Sequence, residues 1–310
     1  MTQVLVDDLA ATAAGGVARG TEHEPPAGPT APTARSEGRR LVRFLLRRPG
    51  LVVSGVFAVL VVLAAFAPTL FTSRDPLTGV PAEFFSPPSA QHWFGTDELG
   101  RDLFTRVVHG AHLSLQATLV AVAVSFVVGG SLGLLAGFRV GWVESAIMRF
   151  VDVVLAIPNL FLALAFVTAL GYGTVNVAVA VGLAGTGSFA RVMRSEVLRV
   201  RQSVYVEAAR ASGVRWYAVL GRHVLPNAIG PVLVLATLDF GTAILAVSSL
   251  SFLGYGAPPP APEWGTLIAG GRNYLAAAWW LTVLPGLTIA ATVLATNRIA
   301  RALDGEWSRS

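Results

Sequence analysis

The chain has 310 residues, 54% of them hydrophobic and only 13% charged, with a mean hydropathy of +0.62. Soluble domains carry about 25% charged residues, so an ordinary soluble domain is excluded and a bilayer-embedded protein is indicated. Cysteine is absent, which excludes disulfides, zinc–thiolate sites and cysteine nucleophiles. The net charge of +5 rests on arginine without a single lysine.

In chain order, residues 1–38 are rich in Ala, Thr, Gly and Pro, show no apolar period and read as a disordered tail. They lack the apolar core and small-residue cleavage site of a signal peptide. A basic run (Arg39, Arg40, Arg43, Arg47, Arg48) then precedes the apolar stretch Leu51–Leu70. A membrane helix needs about 20 apolar residues to cross about 30 Å of hydrocarbon. Leu51–Leu70 meets that length. Five more candidates follow, Leu113–Phe138, Ile147–Leu170, Thr174–Ala190, Ala228–Gly254 and Ala276–Ile299, of which Thr174–Ala190 is short and interrupted by Gly182, Gly185 and Gly187. The expectation is an all-α, polytopic membrane protein with six spans and both termini on one side.

Arginine placement tests that topology. The proposed cytoplasmic side carries 19 arginines and the outer side 4 (Arg74, Arg101, Arg106, Arg272). Such a bias fits the positive-inside rule, whereas a nucleic-acid surface would not place arginine at alternate loops. Two connections are long: an outer segment Phe71–His112 and a cytoplasmic one over 191–227. The expected divisions are the tail 1–38, a segment 39–112 with the first span and outer loop, a transmembrane domain 113–304, and a short cytoplasmic tail 305–310.

The cytoplasmic connection reads Glu207-Ala208-Ala209-Arg210-Ala211-Ser212-Gly213, nine residues, then His223-Val224-Leu225-Pro226-Asn227. Physically this is a short helix, a glycine stop, a second helical stretch and a Pro-marked restart. Ser203 stands where it can cap the first helix, with Glu207 near the helix's positive end. Glu207 and Arg210 are spaced to pair. Ala208, Ala209 and Ala211 leave a low surface, Gly213 suits a left-handed helix end, and Pro226 is tolerated in a first turn. An ordinary solvated connector would share these features.

The spacing resembles the EAA loop of binding-protein-dependent ABC permeases, with His223 where the peptide and nickel branch of that family commonly has His. Two further segments agree. Phe94-Gly95-Thr96-Asp97-Glu98-Leu99-Gly100-Arg101-Asp102, with Thr105, Arg106, Gly110 and Ser114-Leu115, resembles the stretch before the second span in that branch. Phe252-Leu253-Gly254, the proline run at 258–260 and Pro262-Glu263-Trp264-Gly265 resemble its outer loop between spans five and six. The resemblance implies a type I ABC importer (MetI-like) transmembrane domain, specifically the second permease of a dipeptide, oligopeptide, glutathione-like or nickel system. It implies a bacterial inner-membrane location with a second permease, two ATP-binding subunits, an extracytoplasmic solute-binding protein and a peptide cargo, or in the alternative nickel. It also implies that the segment Tyr205, Glu207, Ala208, Ala209, Arg210 and Gly213, with His223 and Pro226, couples the permease to the ATPase.

No Gly-rich Walker motif occurs, so ATP hydrolysis is expected on other chains, and no cofactor and no catalytic constellation is expected in this one. Asp97, Glu98 and Asp102, with His92, His109 and His112 nearby, read more simply as turn and ion-pair residues around Arg101 and Arg106 than as metal ligands. Asp152 and Asp239 fall inside spans, where an ionised carboxylate costs about 3 kcal/mol. Asp239 is the pathway candidate, against the plainer reading of an interhelix hydrogen bond. That plainer reading is preferred for Asp152. Gly129, Gly133 and Gly137 form a close-packing stripe, and Pro158 and Pro285 interrupt spans three and six as hinges or static kinks. The rival class, a self-contained secondary transporter, calls for coupling sites in two repeats, and no inverted repeat is evident.

Overall fold

The computed structural model describes residues 49–307. The predicted tail, the basic run Arg39–Arg48 and residues 308–310 lie outside the described residues. Within them the chain is helical. Helix α1 is Pro49–Phe66; α2, Leu103–Val124, runs through a π-helical turn Ser125–Gly129 into α3, Gly130–Phe138. Then follow α4 (Trp142–Ala156), α5 (Asn159–Leu170), α6 (Thr174–Arg201) and α7 (Val204–Ala211). Helix α8 (Trp216–Val219) continues through a second π-helical turn, Leu220–Val224, into α9 (Leu225–Phe252). The last two are α10 (Trp264–Gly271) and α11 (Trp280–Trp307).

Five helical runs are long and apolar enough to cross a membrane: α1, α2–α3, α6, α8–α9 and α11. The expected third span is not one straight helix. It is α4 and α5, bent by 99° at Ile157–Pro158. Proline has no N–H to donate and its ring clashes with the carbonyl four residues back. It also drives the preceding residue to extended backbone, and Ile157 sits at φ −92°, ψ 129°.

Packing register shows that the bent pair still returns the chain across. The Ser125 hydroxyl donates to the Gly182 carbonyl, 57 residues on. The same separation recurs where a Cβ at Gly129, Gly133 or Gly137 would meet the carbonyl oxygens of Thr186, Ala190 and Arg194. A constant offset means that α2–α3 and α6 run parallel, so α4–α5 must carry the chain back to the face where α2 began. Six crossings follow. The glycine stripe is thus a helix seam. Lipid tails are as apolar as leucine, so membrane helices associate through close backbone approach, and a side chain here would push them apart.

The remaining crossings alternate. Gly173 N–H donates to the Tyr255 carbonyl at 2.9 Å at one end of α6 and α9. At the other end, Phe189 and Met193 share a core with Ala228 and Val232. Gly50 on α1 lies against Arg298 on α11, and Gly241 on α9 against Asn297. Both ends of the described chain therefore share one face with α7 and α8, called here the basic face.

Span four is longer than its apolar stretch. Helix α6 continues through Arg201, because the arginines beyond Ala190 find partners: Arg194 bonds Glu144 through two nitrogens, and Arg191 meets Asp152 at 2.8 Å. Nor does Pro226 restart a helix. It sits in the first turn of α9, which the π-turn joins to α8. Helix α11 likewise runs on through Pro285.

The opposite face is closed by a layer made from residues 67–102 and 253–279. Trp280 Nε1 donates to the Thr96 carbonyl at 3.1 Å, and the Phe85 and Tyr274 rings lie 4.8 Å apart. Arg106 donates to the carbonyls of Pro76 and Pro260, which ties one half of the layer to the other.

Candidate functional site

The basic face presents one exposed, rigidly seated element. Helix α7 is amphipathic at one point of attachment: Val206 is 0% exposed, and with Val219 and Val224, equally buried, it joins the core formed by Phe189, Met193 and Val197. The rest of the helix faces outward. Tyr205, Glu207, Ala208 and Arg210 are exposed, and Ala209 is half-buried. The end is a Schellman closure. Gly213 N–H donates to the Arg210 carbonyl at 3.0 Å, Val214 N–H to the Ala209 carbonyl at 3.2 Å, and Gly213 adopts φ +76°. Open space surrounds Gly213, so glycine is required there by backbone conformation and not by a close neighbour.

Two local expectations fail. Ser203 takes the N-cap position, and its carbonyl accepts from Val206 and Glu207 N–H. Its hydroxyl instead donates back to the Val200 carbonyl at 2.6 Å, the oxygen that closes the end of α6 by also accepting from Ser203 N–H at 3.1 Å. Glu207 and Arg210 do not pair. The Arg210 guanidinium lies 5.7 Å from the Phe138 ring, and Arg139 lies 5.2 Å from Trp216. Phe138 and Trp216 are themselves 6.0 Å apart. Cation–π contacts of this kind fasten α7 and α8 to the end of α3. The Glu207 side chain makes no hydrogen bond or ion pair among the described residues.

His223 is half-buried within the π-turn, and its carbonyl accepts from the Asn227 side chain at 2.8 Å; Pro226 is exposed beside it. Around α7, Val204 (81% exposed), Trp216 and Tyr217 add apolar surface. These three stand out only once burial is known, since a valine or tryptophan in a loop carries no signature of its own.

In mid-membrane, α2, α6 and α9 meet at Ser125, Gly185 and Asp239. Asp239 is half-buried near the middle of α9, and its Oδ1 accepts from the Thr242 hydroxyl at 2.7 Å. Asp152, by contrast, bonds Arg191 across helices, with both side chains well exposed.

The motif at 94–102 is a scaffold. Asp97 Oδ1 accepts from the N–H of Leu99 and of Arg101, and Oδ2 from Arg101 Nε at 2.7 Å. Arg106 Nε lies 3.6 Å from the same Oδ2. Asp102 does not pair with Arg101 or Arg106 as expected. It caps α2 by accepting from Thr105 N–H, and its Oδ2 meets Arg74 and His92 at 3.0 and 2.8 Å. Arg101 is drawn instead to Asp97 and Glu98, leaving Asp102 free to turn toward residue 74. The histidines do not converge: His109 contacts the Thr105 carbonyl and His112 that of Ala65. Glu263, 1% exposed, accepts from Ser251 Oγ and from Ala257 N–H, and Trp264 Nε1 donates to the Val107 carbonyl at 2.8 Å.

Six crossings, a braced cap on one face and an uncovered helix on the other define a multi-pass membrane transport subunit. The chain belongs to the family of binding-protein-dependent transport system inner membrane components, which matches residues 129–309. It is 40% identical over 260 residues to the dipeptide transport system permease protein DppC of Alkalihalophilus pseudofirmus, covering 83% of this chain and 85% of the relative. It is 40% identical over 264 residues to the probable D,D-dipeptide transport system permease protein DdpC of Escherichia coli, covering 85% and 88%. The glutathione transport system permease protein GsiD of Pectobacterium atrosepticum is 37% identical over 272 residues, covering 87% and 90%. The fold is similar to a crystal structure of an amino acid ABC transporter with histidines, at TM-score 0.51 and 14% identity over 66% of this chain and 95% of that one. The architecture is that of a type I ABC importer transmembrane domain, in a multi-pass inner-membrane protein.

Proposed function

We propose that this chain is one of two membrane-spanning subunits of an ATP-driven importer of di- or oligopeptides. The basic face is cytoplasmic, in keeping with the arginine bias. Helix α7 docks in a separate ATPase, and the chain hydrolyses no ATP itself. The capping layer meets an extracytoplasmic solute-binding protein. A homologous second permease completes the pathway along the uncovered side of α9, where Thr242 and Leu245 are exposed beside Asp239.

The observation that carries this reading is the state of α7. A helix anchored through Val206 yet exposed along Tyr205, Glu207, Ala208 and Arg210 can transmit motion from a partner without unfolding. ATP binding closes the ATPase pair, and the seated helices move with it. The pathway then shifts between inward- and outward-open states, with nucleotide favouring one through differential contacts. The peptide class rests on relatives named for dipeptide, D,D-dipeptide and glutathione transport.

The test is uptake of labelled dipeptides, longer peptides and nickel in a strain deleted for this chain and in the restored strain. Loss of peptide uptake alone, recovered on restoration, is expected. Loss of nickel uptake alone would overturn the peptide assignment.

A further inference from the structure

We propose that Asp239 recognises the free α-ammonium group of the peptide as it passes mid-membrane. This rests on the reading of the chain as a peptide permease and adds the chemistry of one contact to it.

Two carboxylates on the crossing helices, Asp152 and Asp239, are treated differently by the fold. Asp152 has a cation of its own, Arg191, at 2.8 Å. Asp239 has none: no basic side chain lies within ion-pair distance of it, and no hydrogen bond reaches its Oδ2, among the described residues. Its one bond is from Thr242 to Oδ1. An ionised carboxylate in mid-bilayer costs about 3 kcal/mol on insertion scales. A carboxylate left without a cation of its own, half-exposed and with Oδ2 facing Gly185 of α6, is a place where a cation from outside the subunit can bind.

The surroundings keep Oδ2 accessible. A Cβ built at Gly185 would press on the Ser125 hydroxyl at 2.5 Å and stand 3.9 Å from Oδ2, so the glycine admits Ser125 and leaves the carboxylate uncovered. The Ser125 hydroxyl, in the π-helical turn after α2, is committed to the Gly182 carbonyl at 2.7 Å. From Gly185 this side of α6 continues through Ser188 and Ser195, both exposed, and on α9 Thr242 is exposed about one turn from Asp239. Hydroxyls on an open face suit a wet passage, and the close packing at Ser125, Gly182 and Gly185 forms one wall of it.

The donor set selects the cation. An ammonium group has three N–H donors and matches one carboxylate oxygen flanked by hydroxyls. A divalent metal would need several convergent ligands, and no group of three His, Cys, Asp or Glu side chains able to hold one occurs among the described residues.

The experiment measures direct peptide binding to the assembled importer in lipid nanodiscs, without its solute-binding protein, whose own selectivity would mask the effect. The probes are Ala-Ala, N-acetyl-Ala-Ala and Ala-Ala amide. N-acetylation is expected to weaken binding to the native importer about tenfold, as loss of a charge-assisted hydrogen bond does, while amidation has a smaller effect. Asp239→Asn should weaken Ala-Ala binding to the level of the acetylated peptide and leave the acetylated peptide unchanged, and Asp239→Glu should retain part of the discrimination. Equal binding of free and acetylated peptide by the native importer would overturn the proposal without needing any variant. So would an equal loss of all three peptides in Asp239→Asn. Failure of the broader peptide reading would show separately, as intact importer with its binding protein that takes up no Ala-Ala.

Discussion

The two faces of this subunit use polar residues in opposite ways. In the capping layer, Thr96, Asp97, Arg101, Asp102, Arg106 and Glu263 are all buried, and nearly every polar atom is answered from within the chain. On the basic face, Glu207 and Arg210 stand in solvent, and three valines hold the segment to the core. Both regions carry motifs of similar look, short polar runs punctuated by glycine. Burial tells them apart: one motif is spent on its own fold and the other is held open. The capping layer should therefore fail by unfolding, and the basic face by losing function while staying folded.

The largest expected effect comes from Asp97→Ala. It removes the acceptor of two backbone N–H groups and leaves Arg101 and Arg106, both nearly buried, short of their shared counter-charge. Breaking a buried pair by deleting one partner costs about 3–5 kcal/mol. The thermal midpoint of the purified protein in detergent should drop steeply, and the yield of folded protein with it. A midpoint near the native value would mean that the layer does not depend on its internal pairs, and the contrast between faces would collapse.

An intermediate effect is expected for Gly213→Ala. A non-glycine residue in left-handed backbone costs about 1–2 kcal/mol. Here the cost falls on the Schellman end of α7 and not on the core, because open space surrounds the position. Transport should fall well out of proportion to the small loss of stability. Comparing transport per folded molecule with the midpoint separates the two.

Much of this architecture is legible in the chain itself, for reasons that differ by element. Apolar length marks the crossings because a bilayer imposes a minimum, and glycine at every fourth residue over 129–137 marks a seam because only a missing side chain allows backbones that close. The path of the third crossing was not legible. Pro158 signals a break but not its 99° angle, which depends on how α4 and α5 each lie against α6. Pairing was legible in part. Asp97 and Arg101 are four residues apart and meet, whereas Asp102 joins Arg74, 28 residues earlier, through a chain path that no local pattern encodes. Arg210 shows the same limit: helical spacing offers it Glu207, but the aromatic ring that it chooses is brought from the end of α3. The exposed Val204 and Trp216 carried no mark at all, because exposure is a property of the fold and not of the residue.

The smallest effect on stability, and the sharpest test of the comparison, belongs to Glu207→Lys. The Glu207 side chain is exposed and makes no hydrogen bond or ion pair among the described residues, so its reversal should change stability by no more than about 0.5 kcal/mol, the ordinary range for a surface substitution. The helix even places it in the first turn, where a negative charge is only mildly favoured. If the outward side of α7 exists to be gripped by an ATPase, the reversed charge should lower peptide uptake strongly and loosen copurification of the ATP-binding subunits, at native protein levels. A folded, abundant variant that transports normally would show that this side of the helix is merely solvated. The openness of the basic face would then carry no function at position 207, and the contact would have to be sought in the neighbouring apolar surface of Val204, Trp216 and Tyr217.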